Sequence, residues 1–261
     1  MPLTRRQFTA TLAGTAALTS FGAEPGGGTL VIAQASDPQS LTNALSTEGN
    51  IYTASSKLFD GLLTFGIDGK PQARLAQQWA WSADGLSLTL KLRPGVKWHD
   101  GQPFSAADVA YSVEEVWKKY NARGRSTFAN VEQVETPDPL TAVLRLSRPA
   151  PYLLSALVSI ESQVLPRHLY AGSNPLLNPH NAAPIGNGPF RFVRRERGSQ
   201  IVLGRNPDYW DRGHPRIEKL VFRIVPDLAG GVAMTGPIAI GSMAAENFVM
   251  ESAQGMPALL E

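Results

Sequence analysis

The chain has no cysteine. That excludes disulfides, thiolate metal ligands, a cysteine nucleophile and a lipid-modified cysteine anchor. Histidine is scarce too. His99, His168, His180 and His214 are the full set, and none is spaced as HxH or HExxH, so no metal centre or cofactor is expected and the four read as surface or loop residues. Neither a GxSxG nor a Walker pattern occurs, which leaves no nucleophile elbow and no phosphate loop. No apolar run approaches the roughly 20 residues that span a bilayer. An excess of one charge is also missing. The formal net charge is +2, and Arg5 and Arg6 account for it, so neither nucleic acid nor a membrane surface is an expected partner. Catalysis is not expected.

What is present is a chain of 261 residues with 43% hydrophobic side chains, 20 prolines and 24 glycines. This suits a real core made of short elements joined by many turns. The first 23 residues put Arg5 and Arg6 ahead of a short apolar stretch from Phe8 to Phe21. A charged start followed by such a stretch reads as a signal peptide. The pair Arg5-Arg6 followed by Phe8 resembles the twin-arginine export motif. The alternative is an amphipathic N-terminal helix.

The mature chain begins with a strand at Leu30–Ala33, apolar on both faces. A loop, "ASDPQSLTNA", follows. Ile51, Ala54, Ser55, Leu58 and Phe59 recur at helical spacing, and Gly61 is expected to close that helix in a left-handed cap. Leu86, Leu88, Leu90 and Leu92 alternate with polar residues, as in a strand with one wet face. Pro94-Gly95 and Asp100-Gly101 are turns. Between them Val96 and Trp98 face the core, while Lys97 and His99 point away. Neighbouring strand residues face opposite sides, so His99 and Asp100 are not a proton-sharing pair. Ser105 caps a helix, Asp108 completes a capping box, and Phe104 and Val109 staple it. Val109, Val113, Val116, Trp117 and Tyr120 form that helix's buried stripe. Val143, Leu144 and Leu146 belong to a strand, and a helix is expected from Tyr152 to Val158. Phe190 and Phe192 against Ile201 and Leu203 form a hairpin. Gly186-Asn187-Gly188 leads into that hairpin's first strand, so it is not a dinucleotide fingerprint. Residues 219–227 form a further strand. Of the tryptophans, Trp79, Trp81, Trp98 and Trp117 are mostly core, with one or two available to line a cleft.

Four stretches, "KLFDGLLTF", "LAQQWAWSADGLSLTLKLRPGVKWHDGQPFSAADVAYS", "PIGNGPFRF" and "LGRNPDYWDRGHPRIEKLVFRIVPD", occur in that order over roughly residues 28–227. Together they resemble the extracellular solute-binding proteins of family 5, the peptide and nickel binders of ABC importers. The resemblance implies an α/β fold of the type II periplasmic-binding-protein kind. Its first lobe would carry a mixed sheet and an inserted, smaller β-rich subdomain at roughly 70–180. It also implies periplasmic capture of a peptide or similar small solute for an ABC importer's membrane permease. The loop after the first strand would touch the ligand main chain, which carries a ligand-binding role to Ser36, Asp37, Pro38 and Gln39. Asp37 either pairs with a peptide amino group or serves as a turn residue before Pro38.

Family members are about twice this length, so the expected organisation is a signal peptide at 1–23, a first lobe at 24–227 and a second lobe missing. A fragment of this kind has an alternative role as a scaffold or interaction domain that binds no solute. Residues 228–261 contain no lysine or arginine and hold four of the five methionines. They read as a divergent tail, either frame-altered or naturally acidic.

Overall fold

The computed structural model describes residues 27–226 and the backbone of residues 238–240. The expected export signal with Arg5, Arg6 and Phe8 lies outside the described residues, as does most of the tail. The elements in chain order are β1 (Thr29–Gln34), α1 (Gly49–Leu58), β2 (Leu63–Phe65), β3 (Pro71–Ala73), β4 (Ala76–Trp81), β5 (Ser87–Leu92), α2 (Ala106–Tyr111), α3 (Ala122–Thr127), β6 (Val131–Asp138), β7 (Thr141–Leu146), α4 (Leu153–Ala156), α5 (Arg167–Tyr170), β8 (Phe190–Glu196), β9 (Gln200–Arg205), β10 (Lys219–Ile224) and β11 (Ile238–Ile240).

The larger sheet runs β11-β1-β10-β9-β8. Leu30, Ile32 and Ala33 are buried, as expected for a strand covered on both faces. β1 pairs in parallel with β10, from Thr29 against Lys219 to Gln34 against Ile224, and in parallel with β11 on its other side. The β8–β9 hairpin completes the sheet with antiparallel pairs. The sheet is therefore mixed, and the chain leaves β1 and returns on both sides of it.

Between β1 and β8 the chain builds the inserted β-rich subdomain, an antiparallel sheet in the order β4-β5-β7-β6. Leu88, Leu90 and Leu92 of β5 and Leu144 and Leu146 of β7 are buried on one face. They share a single core cluster with Val109, Val113, Val116 and Trp117. α2 starts as its sequence dictates. Ser105 has an extended backbone, and its N–H donates to the Asp108 carboxylate at 2.9 Å. The chain then continues through a π-helical turn at Ser112–Trp117, where the Trp117 indole donates to the Gln163 carbonyl at 2.9 Å.

Several local expectations are corrected by tertiary structure. Gly61 is not a left-handed cap: α1 ends in an extended Phe59, and Gly61 has no positive φ. It is glycine for another reason, since a Cβ there would sit 2.5 Å from the Ser159 nitrogen. The helix after Pro151 is a single turn, because Leu63 captures the Leu157 carbonyl and bridges to Val158. β6 was not expected. Its two buried valines, Val131 and Val134, are three apart rather than two, because a bulge between Val131 and Gln133 resets the register. Leu86 lies just before β5 and is 37% exposed, so the buried face begins at Leu88.

Candidate ligand-binding site

β1 is the switch point of the larger sheet, because its two parallel neighbours lie on opposite sides. In open α/β sheets, ligands bind outside the carboxyl ends of strands at such a point. Here that position is held by Gln34 and the loop that follows. Gln34 is buried, and its side-chain amide donates to the Ser36 carbonyl at 2.9 Å and the Asn50 carbonyl at 3.0 Å. Its Oε1 accepts no hydrogen bond among the described residues. The main-chain carbonyl of Gln34 accepts from Val225 at the end of β10. Asn50, in the first turn of α1, donates to the Ser36 hydroxyl at 3.1 Å. The N-cap of α1, Glu48, makes no side-chain cap, and the first turn holds no acidic residue. The positive end of the helix dipole therefore faces this loop without a side-chain acceptor.

The four residues carried over from the resemblance divide into two pairs. Ser36 and Gln39 are exposed. Asp37 and Pro38 hold the loop down. The Asp37 carboxylate accepts from Arg195 Nη2 at 2.6 Å and Nε at 3.2 Å, and from the Gly198 N–H at 2.8 Å. Arg195 also donates to the Pro38 carbonyl. Asp37 is thus engaged by the β8–β9 hairpin rather than within its own turn. Sequence reasoning missed Arg195, because "RRERGS" reads as a charged turn and its partner is 158 residues away. Gln34 and Asn50 carried no signal either.

The opposite end of the sheet holds a polar hub. The Gly186 N–H donates to His99 Nδ1 at 3.1 Å, so the proton sits on Nε2, which donates to the Gly188 carbonyl at 3.1 Å. Asn206 donates to the same carbonyl at 3.0 Å. His99 therefore does not point into solvent as expected; it latches the Gly186–Gly188 turn. Burial, the largest influence, pushes its pKa down to about 4. Asp100 is bonded to His168 at 2.7 Å, which keeps the two neighbours from sharing a proton, as expected. Gly186 and Gly188 are dictated by close approach, since a Cβ on Gly186 would lie 1.8 Å from the Leu58 carbonyl oxygen. Asp60 is buried and accepts from Tyr209 and from the Trp210 indole, each at 2.7 Å. The Asp60 N–H donates to the Asn187 side chain at 2.9 Å. Among the described residues no cluster of three or more His, Asp or Glu could hold a metal.

A family model for the bacterial extracellular solute-binding proteins, family 5 Middle, matches residues 70–235. The chain belongs to that family. It is 35% identical over 167 residues to a putative ABC transporter peptide-binding protein of Brucella ovis, covering 61% of this chain and 30% of that protein. It is 31% identical over 225 residues to the dipeptide-binding protein of Escherichia coli, covering 76% of this chain and 41% of that protein. Among solved structures, the oligopeptide-binding protein AppA of Bacillus subtilis, in complex with a nonapeptide, superposes with a TM-score of 0.72 at 27% identity, over 78% of this chain and 41% of that one. NikZ of Campylobacter jejuni, in complex with Ni(L-His), superposes with a TM-score of 0.68 at 29% identity, over 77% and 40%. These are type II periplasmic binding proteins, and the fold is of that class. The chain spans about 30–41% of the length of these relatives.

Proposed function

We propose that this chain captures a peptide, or a similar small solute such as a metal chelate, for an ABC importer, and that the bound form docks on the importer's membrane permease. The solute meets the exposed Ser36 and Gln39 at the carboxyl end of β1, with the uncapped start of α1 beside them to take a carboxylate. Asp37 and Pro38 serve the site by fixing that loop to the β8–β9 hairpin. The observation that carries this reading is the coincidence of the loop singled out by family resemblance with the sheet's topological switch point. The protein works in the periplasm, delivered there by the twin-arginine route through Arg5, Arg6 and Phe8.

The test is a thermal-shift screen of the chain with di- and oligopeptides and nickel–histidine. A ligand at 100 times its Kd should stabilise by about 2.7 kcal/mol. The response should weaken in Ser36→Ala/Gln39→Ala, whose own melting temperature should change little, because both side chains are exposed and the Asn50–Ser36 bond that is lost is a solvent-exposed one. No response to any solute would return the chain to a scaffold role. Export is tested separately: replacing Arg5 and Arg6 by lysine should leave precursor in the cytoplasm, and unchanged delivery would reject the twin-arginine route.

A further inference from the structure

At the end of the sheet away from Ser36, the Trp210 indole walls two clefts. The larger, about 700 Å³, is lined by Gln77, Arg93, Lys97, Asp208, Arg212 and His214 among others. Its charges do not cancel. Asp208 is already held by Arg191 at 2.6 Å, and His214 faces Asp211 at 3.4 Å. Arg93, Lys97 and Arg212 have no carboxylate within ion-pair distance among the described residues.

Arg93 is also pre-positioned. Its guanidinium lies 3.8 Å from the centroid of the Trp210 ring, and its Nε donates to the Arg74 carbonyl at 3.0 Å. Trp210 is pinned in turn by the Asp60 carboxylate. The Nε contact leaves the two terminal nitrogens of Arg93, which make no hydrogen bond among the described residues. A guanidinium stacked on a fixed indole loses little freedom when it receives an oxyanion on such a fork. Lys97 and Arg212 are exposed and can add charge from the rim. We propose that this cleft is a second binding site, separate from the solute site at Ser36. It takes a compact polyanion with oxygen acceptors, of the polyphosphate or polycarboxylate class. Three unmatched cations gathered in one concave pocket suit a small polyanion better than a long one, which would need a basic track along the surface.

The test uses the full chain at low ionic strength, where exposed charges are least screened. Inorganic pyrophosphate and citrate are titrated separately, with sodium chloride matched for ionic strength as the reference, and melting temperature and tryptophan fluorescence are followed. At least one of the two anions should give a saturable response beyond the chloride reference. In Lys97→Gln/Arg212→Gln, which alters only exposed side chains, its affinity should fall at least tenfold. A response no larger than that to chloride for both anions overturns the proposal, as does an unchanged affinity in the double variant. Which anion binds tells phosphate from carboxylate. Neither result depends on whether peptides bind at Ser36.

Discussion

His99 supplies the sharpest prediction. Its Nδ1 receives the Gly186 N–H, so protonation there would set one N–H against another. Burial is the main cause of the low pKa, the Arg191 charge adds to it, and the hydrogen bond to the Gly188 carbonyl opposes it. The folded value of about 4 compares with 6.5 for the free side chain. At about 1.4 kcal/mol per pH unit, and discounted for the part of the ring that meets water, the gap is worth about 2–3 kcal/mol. The sign follows from which state binds the proton first. The unfolded chain does so as pH falls through 6.5, so it is favoured increasingly as pH drops towards 4. The stability that His99 contributes is complete above about pH 7 and lost between pH 6.5 and 4. Urea unfolding from pH 4 to 8 should therefore show the parent losing about 2–3 kcal/mol relative to His99→Leu, which cannot titrate. Parallel pH curves for parent and variant would refute the latch, as would an NMR titration of the His99 ring midway near pH 6.5 in the folded protein.

Three further outcomes follow from the same structure. Trp98 is 1% exposed and packs edge-on to Phe104 at 5.7 Å, so Trp98→Ala should cost about 3–5 kcal/mol in denaturant unfolding. Gly186→Ala should cost about 3 kcal/mol or more, since its Cβ would meet backbone at 1.8 Å; Gly69→Ala, in open space but at φ +72, should cost only about 1 kcal/mol, and equal costs would undo the close-approach argument. Asp37→Ala removes the partner of an Arg195 side chain that is 6% exposed, so it should lower stability by about 3–5 kcal/mol; a variant as stable as the parent would mean the pair holds nothing.

How legible each part was depended on whether its cause was local. The alternation of Leu88, Leu90 and Leu92, the Ser105–Asp108 box and the Phe190–Leu203 hairpin are set by neighbours in sequence, and each formed where its pattern placed it. β6 was hidden because a bulge broke its period, and the helix after Pro151 was overstated because Leu63, some ninety residues earlier, takes its backbone. The candidate site followed the same division. The loop at Ser36–Gln39 was singled out by the family resemblance, not by any local pattern. The Arg195 that anchors it, and the Gln34 and Asn50 that brace it, are joined by contacts between elements that no local pattern encodes.

The stretches that carry the family likeness converge on the hub rather than on the loop at Ser36–Gln39. "KLFDGLLTF" supplies Leu58 and Asp60, "KWHDG" supplies His99, "PIGNGPFRF" supplies Gly186, Asn187 and Gly188, and "RNPDYW" supplies Asn206, Tyr209 and Trp210. Each is held there by close backbone approach or by a buried or part-buried hydrogen bond. α1 links the two ends. Its start is bonded to Ser36 through Asn50, and its last residue, Leu58, gives its carbonyl to Gly188. Ten residues at 1.5 Å each put roughly 15 Å between them. A side chain in the hub therefore makes no direct contact with a group bound at Ser36. These motifs specify how distant segments of backbone are joined, and so they identify a fold shared by proteins with different cargo. On the function proposed above, what this chain binds is set at exposed positions such as Ser36 and Gln39. Substitutions in the hub should accordingly change the melting temperature and leave the order of preference among solutes intact, whereas changes at Ser36 and Gln39 should do the reverse.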